Sequence, residues 1–294
     1  MPLTAELSDL NKQATAIAKQ EMAKFAWPTV VFVAFIVMAY MLNLYLFVQG
    51  NLAIWQSTLL LGVLTYFAYT PLHEAVHNNI NGKYKSAKWL NDLCGHLVAP
   101  LIAVSYISHR YEHLTHHAYT NDPEKDPDII MQGMGKGPHA VLLVALHFLW
   151  IQNSYFAKHH WGKASLKERI IYIAEITISL GWRVAFLIWA GSLSAVIVVI
   201  AGFLLGGMFT AYWFAYRPHL PYNRQGRYID TASMVMPIWM KPFEWFWLGQ
   251  NLHTVHHLFP RVPFYLYHRV FKQIRHILDS HGTPIISIYS RKPV

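Results

Sequence analysis

The chain has 294 residues, of which 54% are hydrophobic and only 13% charged. A soluble domain carries about 25% charged residues, so this composition excludes an ordinary soluble enzyme. The net charge is +9, but the basic residues stand between long apolar runs instead of forming a polar patch. That pattern excludes a nucleic-acid binder and indicates a membrane protein.

The stretch up to Pro28 has no apolar core behind a basic start and does not read as a secretory leader. It reads as a polar, amphipathic helix at the surface, with Lys12, Lys19 and Lys24 facing the cytoplasm. A first membrane span is expected at about 27–48, a charge-free run long enough to cross about 30 Å of hydrocarbon. Pro28 suits its first turn. Gln49–Asn51 read as a tight turn. A second span is expected at about 52–70, continuing as helix past Pro71. The third is expected at about 170–189 and the fourth at about 196–216, with Ala190–Ser194 as the short turn between them. Two further apolar runs, 89–107 and 139–156, are interrupted by histidine or polar groups. They fit helices that lie in the interface or dip partly inward.

Two charges fall inside the third span, Glu175 and Arg183. Such charges are costly in hydrocarbon. Arg183 is read as snorkelling toward one face and Glu175 as bonding a neighbouring helix. The single cysteine, Cys94, allows no internal disulfide and no cysteine metal site. It reads as a small core or lipid-facing residue.

Charge sets the orientation. The turns Gln49–Asn51 and Ala190–Ser194 contain no Lys or Arg. The opposite segments contain "NGKYKSAK", "KHHWGKASLKER" and "RPHLPYNRQGR". The positive-inside rule places both termini in the cytoplasm. With four spans, every group of clustered histidines emerges on that same face. The expected fold is one all-α integral membrane domain over 1–294: four transmembrane helices and a cytoplasmic histidine-rich cap with interfacial helices.

Histidine is the compositional anomaly, at 18 copies. His73 and His77 in "HEAVH" are spaced i, i+4 and share one helix face. "HRYEHLTHH" holds His109, His113, His116 and His117; "HTVHH" holds His253, His256 and His257. In each H-x-x-H-H the three rings fall within a sector of about 100°, an arrangement suited to binding metal, and neutral imidazole suits Fe, Zn, Cu or Ni. His219 in "YRPHLPY" follows the fourth span on the same face and is a ninth candidate ligand. His109 is expected to support the ligands or lie at the surface. His96, His139, His147, His159, His160, His268, His276 and His281 read as structural. The eight box histidines exceed the ligands of one tetrahedral zinc, so two metals are the economical reading.

"HEAVH" is also a literal H-E-x-x-H. On a soluble helix that string suggests a zinc metalloprotease with Glu74 as its general base. That reading leaves both H-x-x-H-H sets unexplained. A histidine-rich metal transporter is the other alternative, but it needs polar groups within the spans, and these histidines sit at the ends.

These boxes resemble the membrane fatty acid desaturase and hydroxylase superfamily, whose members carry histidine boxes at the cytoplasmic ends of four transmembrane helices. "HEAVH", "HLTHH" and "HTVHH" match its three boxes. "HLTHHAYTNDPEKDPD", "WFAYRPHLP" and "NLHTVHHLFPRVPFY" are similar to segments of carotenoid ketolases and hydroxylases. The resemblance implies two iron ions, O₂ as co-substrate, and hydrogen abstraction from an unactivated C–H of a lipophilic substrate, either a fatty acyl lipid or a carotenoid. Oxygen rebound would give a hydroxyl; a second abstraction would give a double bond. The H-x-x-x-H spacing of the first box leans toward hydroxylation, with acyl desaturation as the alternative. Glu74 would then orient a ligand imidazole. No G-x-G-x-x-G follows a strand, so electrons are expected from a separate ferredoxin or similar protein with its reductase. No nucleic-acid partner is expected.

Overall fold

The computed structural model describes residues 4–289; the two chain ends, whose side of the membrane the charge pattern predicts, lie outside them. Among these residues ten α-helices run in chain order: α1 (Thr4–Met22), α2 (Trp27–Val48), α3 (Ile54–Val76), α4 (Trp89–Val98), α5 (Tyr106–Tyr119), α6 (Pro138–His159), α7 (Leu166–Ala190), α8 (Leu193–Thr210), α9 (His253–Leu258) and α10 (Tyr267–Ser280). Among the described residues the sole sheet is one short parallel pair, β1 (Ser233–Val235) with β2 (Ile285–Ser287). The protein is all-α.

Among the described residues four helices are long and apolar enough to cross a membrane: Trp27–Val48, Pro138–His159, Leu166–Ala190 and Leu193–His219. Three of them coincide with expected spans; the expected second span and the run at 139–156 exchange places in this set. The helix α3 forms where expected, but it carries Gln56, Ser57, Thr58, Thr65 and Thr70, and most of its residues are buried. An inner helix meets protein on most faces, so it tolerates polarity that a lipid-facing helix does not. It packs between α2, α4 and α8. Close approach to α8 depends on glycines: a Cβ on Gly206 would meet Gly62 O at 2.4 Å and Thr65 Cβ at 2.6 Å.

Length and composition alone would let α6 cross. It packs along the box-two helix. Near its C-terminal end Asn153 accepts from the Ser105 backbone N–H at 3.0 Å and donates to Ala103 O at 2.9 Å, while Phe156 N–H donates to Ser108 Oγ at 3.1 Å. Near its N-terminal end Val141, Val144 and Phe148 pack on Met131 and Met134. Both ends thus pack on the segments that flank box two. The run at 89–107 is broken: the segment Lys85–Ile102 turns by 99° into Tyr106–Tyr119.

That bend is held by the two charges of α7. Glu175 accepts from Ser105 Oγ at 2.6 Å and from Ile107 N–H at 3.2 Å, and lies 2.7 Å from His96 Nδ1. Glu175 thus bonds a neighbouring helix, as expected. Arg183 does not snorkel. Its guanidinium donates to the carbonyls of Pro100 at 2.8 Å, Leu101 at 3.0 Å and Ser179 at 2.6 Å. A helix broken inside an apolar layer leaves carbonyls without partners, and Arg183 satisfies them. Cys94 is buried in the core beside this bend.

The cap is built from α1, α9, α10 and the loops between α8 and β2. α1 lies against α10 through Ala14 and Ala18, with Lys12, Lys19 and Lys24 exposed. The buried Glu21 of α1 pairs with Lys24 and, at 3.2 Å, with Arg269 of α10.

Candidate metal centre

Three short helical segments and one helix exit deliver the histidines. His73 and His77 end α3, His113, His116 and His117 end α5, and His253, His256 and His257 occupy α9. Below Thr210, α8 widens into a π-turn (Ala211–Tyr216) and then tightens into a 3₁₀ turn (Arg217–His219). Such changes of winding rephase a helix and recur at functional sites. Here they bring His219 into the cluster, where it is 2% exposed.

All nine predicted histidines converge, in two adjoining sets. One ring nitrogen each of His73, His77, His113, His117 and His256 lie within 4.8 Å of one another. Within this set Nε2 of His113 is 3.0 Å from Nε2 of His77, and Nε2 of His117 is 2.8 Å from Nε2 of His256. The second set is His116, His219 and His257, again within 4.8 Å. His253 completes it, its Nε2 3.1 Å from Nε2 of both His219 and His257. The sets touch where His117 stacks on His257 at 4.3 Å. A neutral imidazole has one lone-pair nitrogen and one N–H. Rings that converge this closely present more lone pairs than their own hydrogens can satisfy, and a cation satisfies them all. The donor set therefore fits first-row metal ions.

Electrostatics divide the cluster. Burial pulls His253 down to about 3, keeping it neutral with a free lone pair. Burial also opposes charge on His116, but the carboxylates of Asp128 and Asp126 outweigh it and raise His116 to about 9. His116 Nδ1 lies 2.8 Å from Asp126 Oδ1 and 3.7 Å from Asp128 Oδ2. A carboxylate behind a histidine fixes its tautomer and turns Nε2 toward a metal. His256 is held similarly, its Nδ1 3.1 Å from Tyr267 Oη.

His109 joins neither set. Its Nδ1 is 3.2 Å from Glu112 Oε2 and 3.2 Å from Gln152 Nε2. It supports the cluster from behind, one of the two places expected for it. Burial raises Glu112 to about 7 and also raises its partner Asp128. Glu112 and the histidine-holding roles of Asp126 and Asp128 escaped the sequence reading. The D-P-D after box two was visible, but only the fold shows that Asp126 turns back onto His116. The eight histidines read as structural stay outside both sets.

Glu74 is fully buried but does not face an imidazole. It accepts from Thr29 Oγ1 at 2.7 Å, Asn79 Nδ2 at 2.8 Å and the Phe264 backbone N–H at 2.8 Å. The expected link from Glu74 to a ligand ring is replaced by a tie between α2, α3 and the loop after α9. A metalloprotease base must reach a metal-bound water, and this carboxylate is turned away.

A model of the fatty acid desaturase family matches residues 49–289. The chain belongs to the fatty acid desaturase family. It is 22% identical over 276 residues to the fatty acid conjugase FAC2 A of Calendula officinalis, covering 75% of this chain and 68% of the relative. It is also 40% identical over 50 residues to the Delta(12) fatty acid desaturase fat-2 of Caenorhabditis elegans, covering 17% of this chain and 13% of that protein. Membership makes the protein a multi-pass membrane oxidoreductase whose substrate is a lipid. The zinc protease reading finds no support.

Proposed function

We propose that the protein is an O₂-dependent di-iron oxidoreductase acting on an unactivated C–H of a fatty acyl lipid. The observation that carries this is the convergence of nine histidines, from three boxes and one helix exit, into two adjoining sets. His73, His77, His113, His117 and His256 would hold one iron, and His116, His219, His253 and His257 the other. The irons, when bound, supply reductive activation of O₂ and removal of hydrogen from the substrate carbon. The chain's own residues prepare that chemistry. Asp126 and Tyr267 fix the rings of His116 and His256. Seven of the nine rings are buried, while His117 and His257 are half-buried and line a polar pocket. Tyr69 stands against His73 at 5.7 Å on the side of an apolar cavity, where it can position a hydrocarbon.

Both named relatives are conjugase or desaturase proteins, which favours insertion of a double bond. The H-x-x-x-H spacing of the first box supports a second reading, hydroxylation. The site is assigned to the cytoplasmic face by the charge pattern, and an external carrier such as a ferredoxin would bring electrons. The test is expression in a lipid-producing, iron-replete host, with metal analysis of purified protein and mass analysis of all lipids. Two irons per chain and a new lipid lacking two hydrogens support desaturation; gain of one oxygen supports hydroxylation. Zinc alone with unchanged lipids overturns the proposal.

A further inference from the structure

The two half-buried ligand rings, His117 and His257, belong to different sets and stack on one another at 4.3 Å. A polar pocket of about 370 Å³ reaches both of them. It therefore meets the cluster at the seam between the sets, touching one ligand of each. Its walls carry the carboxylates of Asp122 and Asp230, both half-buried.

Those walls come from two distant segments. Tyr119, Thr120 and Asp122 continue from the end of α5, while Gln225, Arg227 and Asp230 belong to the loop that follows His219. Asn121 ties the two together. Its Nδ2 donates to Arg224 O at 2.8 Å and to Asp230 O at 2.6 Å, and its carbonyl accepts from Gln225 Nε2 at 3.2 Å. Arg227 is the one cationic side chain in the lining apart from the histidines. It is held to the wall, its Nε donating to Asn11 Oδ1 at 3.2 Å and its guanidinium 5.5 Å from the Phe259 ring. Two carboxylates against one guanidinium leave the pocket net negative.

These features suit the passage of a hydrated divalent ion. Six waters at about 30 Å³ each occupy about 180 Å³, which the pocket accommodates. The cavity beside Tyr69 has no charged residue in its lining, and an ion without partners in apolar surroundings costs on the order of tens of kcal/mol. Carboxylate oxygens suit hard, hydrated ions, and imidazole suits iron and its neighbours. The donors are thus ordered along the pocket from transient to lasting.

We infer that this polar pocket is the port through which both metal ions are loaded: Asp122 and Asp230 draw in the hydrated cation, and His117 and His257 are the first rings to receive it. The inference rests on the metal-centre reading of the histidine cluster. Loading exchanges water for carboxylate oxygen and then for ring nitrogen, with no change in the oxidation state of the ion.

The test uses full-length protein stripped by a chelator. Co²⁺ is added alone, and its uptake is followed by the visible absorption of imidazole-bound cobalt. Tyr119→Cys and Gln225→Cys place a thiol on opposite walls without touching a ligand, and the native Cys94 is buried. Labelling either variant after folding with a bulky neutral methanethiosulfonate should slow uptake about tenfold, equivalent to about 1.4 kcal/mol on the barrier to entry. A phosphine reductant should restore the rate. The same label on Asn51→Cys, beyond the far end of α3, should change nothing. Asp122→Asn and Asp230→Asn should each slow uptake about two- to fivefold at low salt, as loss of electrostatic steering predicts. High salt should erase that difference, and the final cobalt content should be unchanged. Uptake indifferent to both labels overturns the inference. So does a lower final cobalt content at unchanged rate in the Asp variants, which would make those carboxylates ligands instead of guides. Failure of the unlabelled protein to take up any cobalt would defeat the metal-centre reading and the port with it.

Discussion

Single residues divide into those that would hold metal and those that hold the holders. His219 has no repeated spacing to support it, yet it is buried with its Nε2 3.1 Å from that of His253. If it only capped α8, its replacement would be mild, since such caps contribute about 0.3–1 kcal/mol. As a ligand, His219→Ala should lose one of two irons and lower turnover beyond the roughly 10–100-fold typical of a supporting residue; metal analysis beside an activity assay decides. Glu74 predicts the reverse. Its three accepted hydrogen bonds tie α2, α3 and the segment after α9. Glu74→Gln puts an amide donor among donors, a loss of about 1–3 kcal/mol for buried groups left unpaired. Thermal unfolding should shift down while both irons stay bound. Loss of iron with unchanged unfolding would contradict that assignment.

At the level of elements, the decisive joint is the break between α4 and α5. Box two points into the cluster because α5 leaves the preceding segment at 99°. Ser105 caps α5 by accepting from Ser108 N–H, and α7 holds both sides of the joint through Glu175 and Arg183. Arg183→Leu should remove the shorter hydrogen bond to each of the Pro100 and Leu101 carbonyls, leaving them only Trp182 Nε1 at 3.1 Å and Tyr40 Oη at 3.4 Å, at about 1 kcal/mol per bond lost. The expected result is a lowered unfolding temperature together with reduced iron retention, because α5 loses its hinge. Arg183→Lys should rescue only in part, since a single ammonium does not reproduce the spread of the guanidinium donors. Unchanged stability in Arg183→Leu would show that the joint is fixed by packing alone. The π-turn after Thr210 is the second such device: it carries His219 to a place the regular pitch of α8 would miss.

For the whole molecule, one geometric fact constrains the path through the bilayer. The rings of His116 and His219 lie 4.7 Å apart, so an even number of crossings separates them. With α7 and α8, joined by the tight turn at Gly191, supplying two, α6 is expected to stay on the side of the site. The charge pattern predicts that this side is cytoplasmic. Cys94 is buried, which leaves a clean background for introduced cysteines. In sealed spheroplasts, Asn51→Cys and Ser192→Cys should react with a membrane-impermeant maleimide, and Ser165→Cys should react only after lysis. The opposite pattern would invert the topology without disturbing the cluster.

The sequence alone determined the class and most of the site. Long charge-free runs can only be membrane helices, because backbone polar groups must be satisfied within the segment. The i, i+3, i+4 spacing of the boxes fixes three rings on one helix face before any fold is known. What it could not determine depends on contacts between distant segments. That α6 packs beside box two is decided by its bonds to Ala103, Ser105 and Ser108, not by its composition. The fate of Arg183 depended on a helix break 80 residues earlier, which leaves carbonyls for it to meet. The partner of Glu74 proved to be a backbone N–H 190 residues away. Assignment of nine histidines to two sets, splitting the adjacent His116 and His117 between them, required the helices to be docked: local spacing gives each ring its direction, and tertiary packing alone gives it neighbours.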